Sequence, residues 1–211
     1  MFQFKLNAPR NAVLAVMATA LTLASPVIAQ DNGASPISET IIPANIVKEL
    51  QAMLKNPVVV ASIRARNTER KAISQSEIDA LDALWRKERE SDGTQPTITA
   101  ALGSPLSTFL LRKQAASKGL YSEIFVMDLN GLNVGQSSIT SDFWQGDEAK
   151  FQKTVPFGAN TVFIDKAEYI DSVGIWVAQV NMTLDDNGEV IGSATIEVNL
   201  TELQRRMNAG L

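Results

Sequence analysis

The stretch Trp176 to Asn199, WVAQVNMTLDDNGEVIGSATIEVN, decides the fold class. In its first half Trp176, Ala178, Val180, Met182 and Leu184 alternate with Val177, Gln179, Asn181 and Thr183. In its second half Val190, Gly192, Ala194, Ile196 and Val198 alternate with Ile191, Ser193, Thr195, Glu197 and Asn199. A period of two residues marks β-strands. Between the halves, Asp185-Asp186-Asn187-Gly188 has the composition of a tight hairpin turn. Each strand carries one apolar and one mixed face, the pattern of an antiparallel sheet packed on its apolar side.

The flanks extend this reading. Leu200 to Asn208 is expected as a closing helix, with Thr201 as its N-cap. Upstream, Ser122 to Asp128 is rich in β-formers, and Asn130-Gly131 turns it into a second strand, Leu132 to Ser138. Thr161 to Asp165 reads as a short strand, and Ile139 to Val155 as a loop region. Further back the period lengthens. Ile46, Val47, Leu50, Met53 and Leu54 recur at helical spacing after Pro43, and Asn56-Pro57 interrupts that helix. Ser74 and Glu77 have capping-box spacing ahead of Ile78, Leu81, Leu84 and Trp85, a second helix that Gly93 closes. Thr94 to Ser107 reads as turns, and Thr108 to Ala116 as a short helix. Helices first, an antiparallel sheet next and a terminal helix last make an α+β layout.

Composition removes whole classes of chemistry. The 211 residues contain no histidine and no cysteine. There is therefore no disulfide, no thiolate nucleophile, no His-based triad and no His- or Cys-ligated metal. A formal charge of −4 gives no electrostatic case for nucleic-acid binding. The sequence contains no G-x-S-x-G, Ser-x-x-Lys, P-loop or dinucleotide fingerprint. No cofactor and no enzymatic activity are expected.

The N-terminus reads as an address. Lys5 and Arg10 precede the uncharged run Ala12 to Ala24, and Ser25-Pro26 breaks it before Val27-Ile28-Ala29. That is the layout of a secretory signal peptide, residues 1–29. Cleavage after Ala29 leaves 211 − 29 = 182 residues. Residues 30–40 read as a flexible leader, and residues 41–211 as one domain. No later stretch reaches the ~20 apolar residues of a membrane span. A periplasmic protein, without a span of its own after cleavage, is expected.

Binding chemistry concentrates in Ser137 to Phe151, SSITSDFWQGDEAKF. Asp142, Phe143, Trp144, Gln145, Asp147, Glu148 and Lys150 share one loop between strands, where binding residues gather on rigid scaffolds. A ring, carboxylates and an amide suit a small-ligand pocket. The plainer alternative is that Phe143 and Trp144 plug the core while the acids begin a helix. Gln179 and Asn181 lie on the mixed face of a central strand, and line a cavity if that face is covered. Arg64, in a basic cluster with Arg66, Arg70 and Lys71, is an anion clamp or part of a solvated face.

Several of these segments together resemble a Cache-type sensor domain, the PAS-like (PDC) extracellular fold of chemoreceptors and sensor kinases. They are Glu123-Ile-Phe-Val-Met-Asp128 with Asn130-Gly131, then Val134-Gly-Gln-Ser137, Thr140-Ser-Asp-Phe-Trp-Gln-Gly-Asp-Glu148, the Val180 to Gly192 hairpin and Glu197-Val-Asn-Leu200. Leu81-Asp-Ala-Leu-Trp-Arg-Lys-Glu88 is similar to a helix of stand-alone members. The Tyr/Arg/Trp-Tyr/Asp pattern of amino-acid-binding double-Cache modules is not found. The resemblance implies a single Cache domain with a long N-terminal helix on a central antiparallel sheet and a short C-terminal helix. It implies a ligand between the sheet's other face and the loop around Asp142 to Lys150.

The expectation is a soluble periplasmic module that binds a small polar metabolite (amino acid, carboxylate or amine) and relays occupancy to a membrane sensor kinase or cyclase. The expected ligand contacts are Asp142, Trp144, Gln145, Asp147, Gln179, Asn181 and Arg64. Two alternatives stand beside it: a carboxylate-based hydrolase or lyase, and a ligand-free scaffold that binds protein.

Overall fold

The computed structural model describes residues 36–210; the expected signal peptide and the leader up to residue 35 lie outside the described residues. The hairpin forms as its alternation requires. Strand β5 (Ile175–Asp186) pairs antiparallel with β6 (Glu189–Asn199), and Val180 faces Ile196 in the register. Asn187 and Gly188 take φ of 55° and 85°, the two left-handed residues of a twist-matched hairpin turn. A bulge between Leu184 and Asp185 turns Ile191 toward the same apolar side as Leu184.

Four more strands complete the sheet: β1 (Tyr121–Met127), β2 (Asn133–Gln136), β3 (Val162–Ile164) and β4 (Glu168–Ile170). The order is β2-β1-β6-β5-β3, and β4 pairs with the opposite end of β5. All pairings are antiparallel. Sequence patterning does not predict β4, because three residues are too short to show a period.

The apolar face is covered by α1 (Ala44–Leu54), α2 (Pro57–Glu69) and α5 (Pro105–Ala116). Leu50, Leu54, Val59, Ile63, Leu106 and Leu110 pack against Ile124, Val126, Val180, Ala194, Ile196 and Val198, all buried. Asn56-Pro57 divides the N-terminal helical segment in two. Pro57 cannot continue α1, and the Asn56 side chain accepts from Val58 N at 3.0 Å to start α2. Residues 36–40 dock on the same body. Ile37 is buried, and Glu39 Oε2 accepts from Ala167 N at 3.2 Å.

A second, smaller core lies beside the sheet, under α3 (Gln75–Arg89) and α4 (Pro96–Leu102). Trp85, Ile78, Ile98, Leu132 and Phe143 form it. The Ser74–Glu77 capping box opens α3 as its spacing predicts. Helix α4 falls in the stretch predicted as turns. Pro96 and Pro105 sit at the first positions of α4 and α5, where a missing N–H costs nothing, so they start helices rather than break them.

The chain closes with α7 (Leu200–Asn208), as its apolar spacing predicts, but the cap differs. Asn199 accepts from Glu202 N at 3.0 Å, while the Thr201 hydroxyl accepts from Trp176 N at 2.9 Å. Thr201 therefore ties α7 to β5 and caps nothing. Hydrogen bonds from Arg205 and Arg206 hold the Glu202 carboxyl down at about 2. A carboxyl lowered on folding stabilises above its unfolded value of about 4.3, and that contribution disappears as pH falls toward the folded value. Glu202→Gln is expected to lower the urea midpoint at pH 7 and to match wild type near pH 2. An equal deficit at both pH values would refute this.

Candidate functional site

The sheet's second face is mostly polar because alternation puts Gln179, Asn181, Ser193, Thr195, Glu197 and Glu123 there, with Phe125 among them. The segment from Thr140 to Phe157, including helix α6 (Ala149–Gln152), closes over part of it. Thr154 Oγ1 meets Ser193 Oγ at 3.1 Å and fastens the cover. A cavity of about 230 Å³ remains at one end. Its lining comes from four segments: Glu148, Ala149 and Lys150; Asp165, Lys166 and Glu168; Val177, Ala178 and Gln179; and Glu197.

The Lys150 side chain is largely enclosed, at 12% exposure. Its ammonium pairs with Glu148 at 2.9 Å, donates to Gln145 Oε1 at 3.2 Å and lies 5.4 Å from the Phe125 ring centroid. Glu197 accepts from Ser122 Oγ at 2.6 Å. Directly across the β1–β6 ladder stands Glu123, whose carboxyl accepts from Ser138 Oγ at 2.8 Å. Burial, and secondarily the Glu197 charge, push the Glu123 carboxyl above the usual carboxylate range against the Ser138 bond and Lys150.

A carboxyl raised on folding contributes stability below its unfolded pKa and loses it as pH rises through the folded value. Glu123→Gln keeps the acceptor for Ser138 and removes the like charge. It is expected to stabilise the protein at pH 8 by about 0.5 kcal/mol, with no gain at pH 4, in paired urea titrations. A destabilised variant at pH 8 would show that the ionised carboxylate is needed.

The predicted contacts separate into those at the cavity and those behind its wall. Gln179 lines the cavity. Asn181 is fully buried beside it, accepting from Thr195 Oγ1 at 2.8 Å. Gln145 is also buried; its backbone N–H donates to Gly131 O at 2.8 Å, and its amide donates to Asp142 O at 2.9 Å. It reaches the cavity only through Lys150. Trp144 faces the other way. Its indole N–H donates to Asn130 O at 2.8 Å, and its ring lies so close to Gly146 that a Cβ there would come within 2.5 Å of the indole nitrogen. Phe143 stacks on Trp85 with centroids 5.1 Å apart. Both aromatic residues therefore fill the smaller core and the loop seam.

Asp142 meets Arg86 at 3.1 Å on the loop's outer side, and Asp147 is exposed. Arg64 stands at the hairpin tip, held by Asp186 at 2.6 Å and Glu189 at 3.0 Å. Its guanidinium is engaged within the protein and is not part of the cavity lining. Sequence reasoning placed Glu148 and Lys150 on the binding loop without naming them as ligand contacts, and missed Asp165, Lys166, Glu168 and Glu197 as wall residues. Glu197 was within reach of the alternation argument that singled out Gln179. The charges at 165–168 carry no local signal of facing the same cavity. Among the described residues no group of three acids converges as a metal site would need, and no helix is long and apolar enough to cross a membrane.

No family model matches the chain, and no curated protein matches it. Solved structures do resemble it. The sensory domain of the Campylobacter jejuni chemoreceptor Tlp3 aligns over 77% of this chain and 64% of its own length, at 15% identity and a TM-score of 0.37. The ligand-binding domain of the Pseudomonas aeruginosa amino acid chemoreceptor PctC, in complex with GABA, aligns over 78% and 65%, at 10% identity and a TM-score of 0.36. The extracellular domain of the putative histidine kinase vpHK1S-Z8 aligns over 76% and 59%, at 16% identity and a TM-score of 0.37. The chain spans less than two thirds of the length of each of these three. These structural neighbours are sensory, ligand-binding and extracellular domains of chemoreceptors and histidine kinases.

Proposed function

We propose that this protein is an exported, Cache-type sensor module without catalytic activity, which binds a small polar metabolite and relays its occupancy to a membrane signalling partner. The observation that carries the reading is the cavity on the polar face of the sheet. A rigid β5–β6 floor, a loop cover and charged groups on opposite walls suit a small ligand that is held by hydrogen bonds. The proposed contacts are Gln179 and Glu197 from the floor, Glu148 from the cover, held there by Lys150, and Asp165 and Glu168 from the rim. Asp142, Trp144, Gln145 and Asp147 act from behind this wall by shaping the loop, and Asn181 by fixing the floor. The sequence resemblance set out above supports the export and relay parts of the reading.

A thermal-shift screen of amino acids, organic acids and amines tests it. A ligand at 100 times its Kd is expected to add about 2.7 kcal/mol of stability. Gln179→Trp, which fills the cavity from its floor, is expected to remove the shift. A hit that persists in that variant, or no hit among these classes, overturns the assignment.

A further inference from the structure

Building on the reading of this cavity as the ligand site, we infer that it selects a small amine without a carboxylate over an amino acid of the same length. The inference rests on which hydrogen-bonding groups are already used. An ammonium has three N–H donors. Those of Lys150 face the Glu148 carboxylate, the Gln145 carbonyl and the Phe125 ring. The Lys150 side chain is only 12% exposed, so a ligand carboxylate cannot reach it without displacing Glu148. The other lysine of the lining, Lys166, is exposed, where an ion pair is weak and screened by salt.

The acceptors are in the opposite state. A carboxylate has room for about four hydrogen bonds. The Glu197 side chain takes one, from Ser122 Oγ, and Asp165 takes one, from Lys166 N at 2.8 Å. Glu168 and the Gln179 side chain make no hydrogen bond among the described residues. With Glu148 matched to Lys150, three lining carboxylates, Asp165, Glu168 and Glu197, face one exposed lysine. Glu123 adds a further acid next to Glu197. A ligand ammonium brings the donors and the charge that this arrangement lacks. A ligand carboxylate brings more acceptors to a place already rich in them, at a desolvation cost with no returning hydrogen bond.

Titration calorimetry of the full chain with three matched four-carbon probes tests the inference: n-butylamine, 1,4-diaminobutane and 4-aminobutanoate. The two amines are expected to bind at least 10-fold more tightly than 4-aminobutanoate. Glu197→Gln is expected to weaken amine binding several-fold, and the exposed Glu168→Gln, whose ion pair is screened, by less than about 3-fold. Equal or tighter binding of 4-aminobutanoate, lost in Gln179→Trp, would overturn the amine preference and leave the cavity as the ligand site. Binding that Gln179→Trp leaves intact, or no binding of any probe, would overturn both. Amine binding unaffected by Glu197→Gln would overturn the preference alone.

Discussion

Arg70→Met is expected to destabilise the protein by about 3–5 kcal/mol, the usual cost of removing one partner from a buried ion pair. Asp128 is completely buried, and Arg70 is its ionic partner at 2.7 Å, with a side chain only 11% exposed. The Asp128 carboxylate also organises the β1–β2 turn, accepting from Asn130 N at 2.8 Å and Leu132 N at 3.1 Å. Arg70 additionally donates to Asn133 O at 3.3 Å and lies 5.5 Å from the Phe143 ring centroid. One guanidinium thus joins α2, the turn and the smaller core. Methionine retains the apolar stem and leaves a buried charge uncompensated. Adding Asp128→Asn removes that charge and retains the turn's acceptor, so the double variant should be more stable than Arg70→Met alone. Urea unfolding of the four proteins in the cycle measures both effects. A single variant within 1 kcal/mol of wild type would show that Asp128 is solvated or paired elsewhere.

Asp82→Ala is expected to cost about 3 kcal/mol, and to do so at the loop that carries the cavity cover. Asp82 lies on α3 and is buried. Its Oδ1 accepts from the backbone N–H groups of Phe143 at 2.9 Å and Trp144 at 3.1 Å, while Oδ2 pairs with Arg86 at 2.5 Å. Alanine would leave two amide donors enclosed without partners, each costing roughly 1–3 kcal/mol. Asp82→Asn retains the Oδ1 acceptor and loses only a charge shared with a half-exposed arginine, so it should cost about 1 kcal/mol. Hydrogen exchange supplies a second readout. The Phe143, Trp144 and Gln145 amides should exchange faster in Asp82→Ala, and the β5–β6 amides should change only by the global loss of stability. Uniform acceleration would mean that Asp82 supports the whole fold and not this loop.

These two side chains mark where sequence reading stops. Arg70 reads as one of several cations on a charged run, and Asp82 as a polar position among the apolar residues of a helix. Nothing within a few residues of either announces a partner 58 or 61 positions away. Ser74 and Glu77 are the contrasting case, since a capping box is complete within four residues and is legible as a string. Helix α4 is illegible in the sequence for the same reason as the role of Asp82. Its first turn is capped by Glu88, whose carboxylate accepts from Thr97 N at 2.8 Å and Ile98 N at 3.0 Å, a partner nine and ten residues upstream. Burial opposes ionisation of Glu88, but those bonds prevail and hold its carboxyl below the usual range.

The candidate site divides along the same line. Alternation through Gln179 and Glu197 marked a polar sheet face, and the loop from Ser137 to Phe151 was legible as its cover. Composition could not say which side of that loop faces the cavity. Packing decided it: Phe143 and Trp144 found apolar space beside Trp85 and the close approach at Gly146, and Lys150 and Glu148 were left toward the sheet.

By itself the sequence determined the α+β class, the hairpin and its turn, the capped α3 helix, the closing helix and the absence of any histidine or cysteine chemistry. Each follows from interactions that span only a few residues or from composition. The tertiary structure alone decided that residues 148–150, 165, 166, 168, 177–179 and 197 share one cavity and that Arg64 and Trp144 do not. Their convergence depends on strand register and on competition for a few buried sites, and both are properties of the whole packed chain.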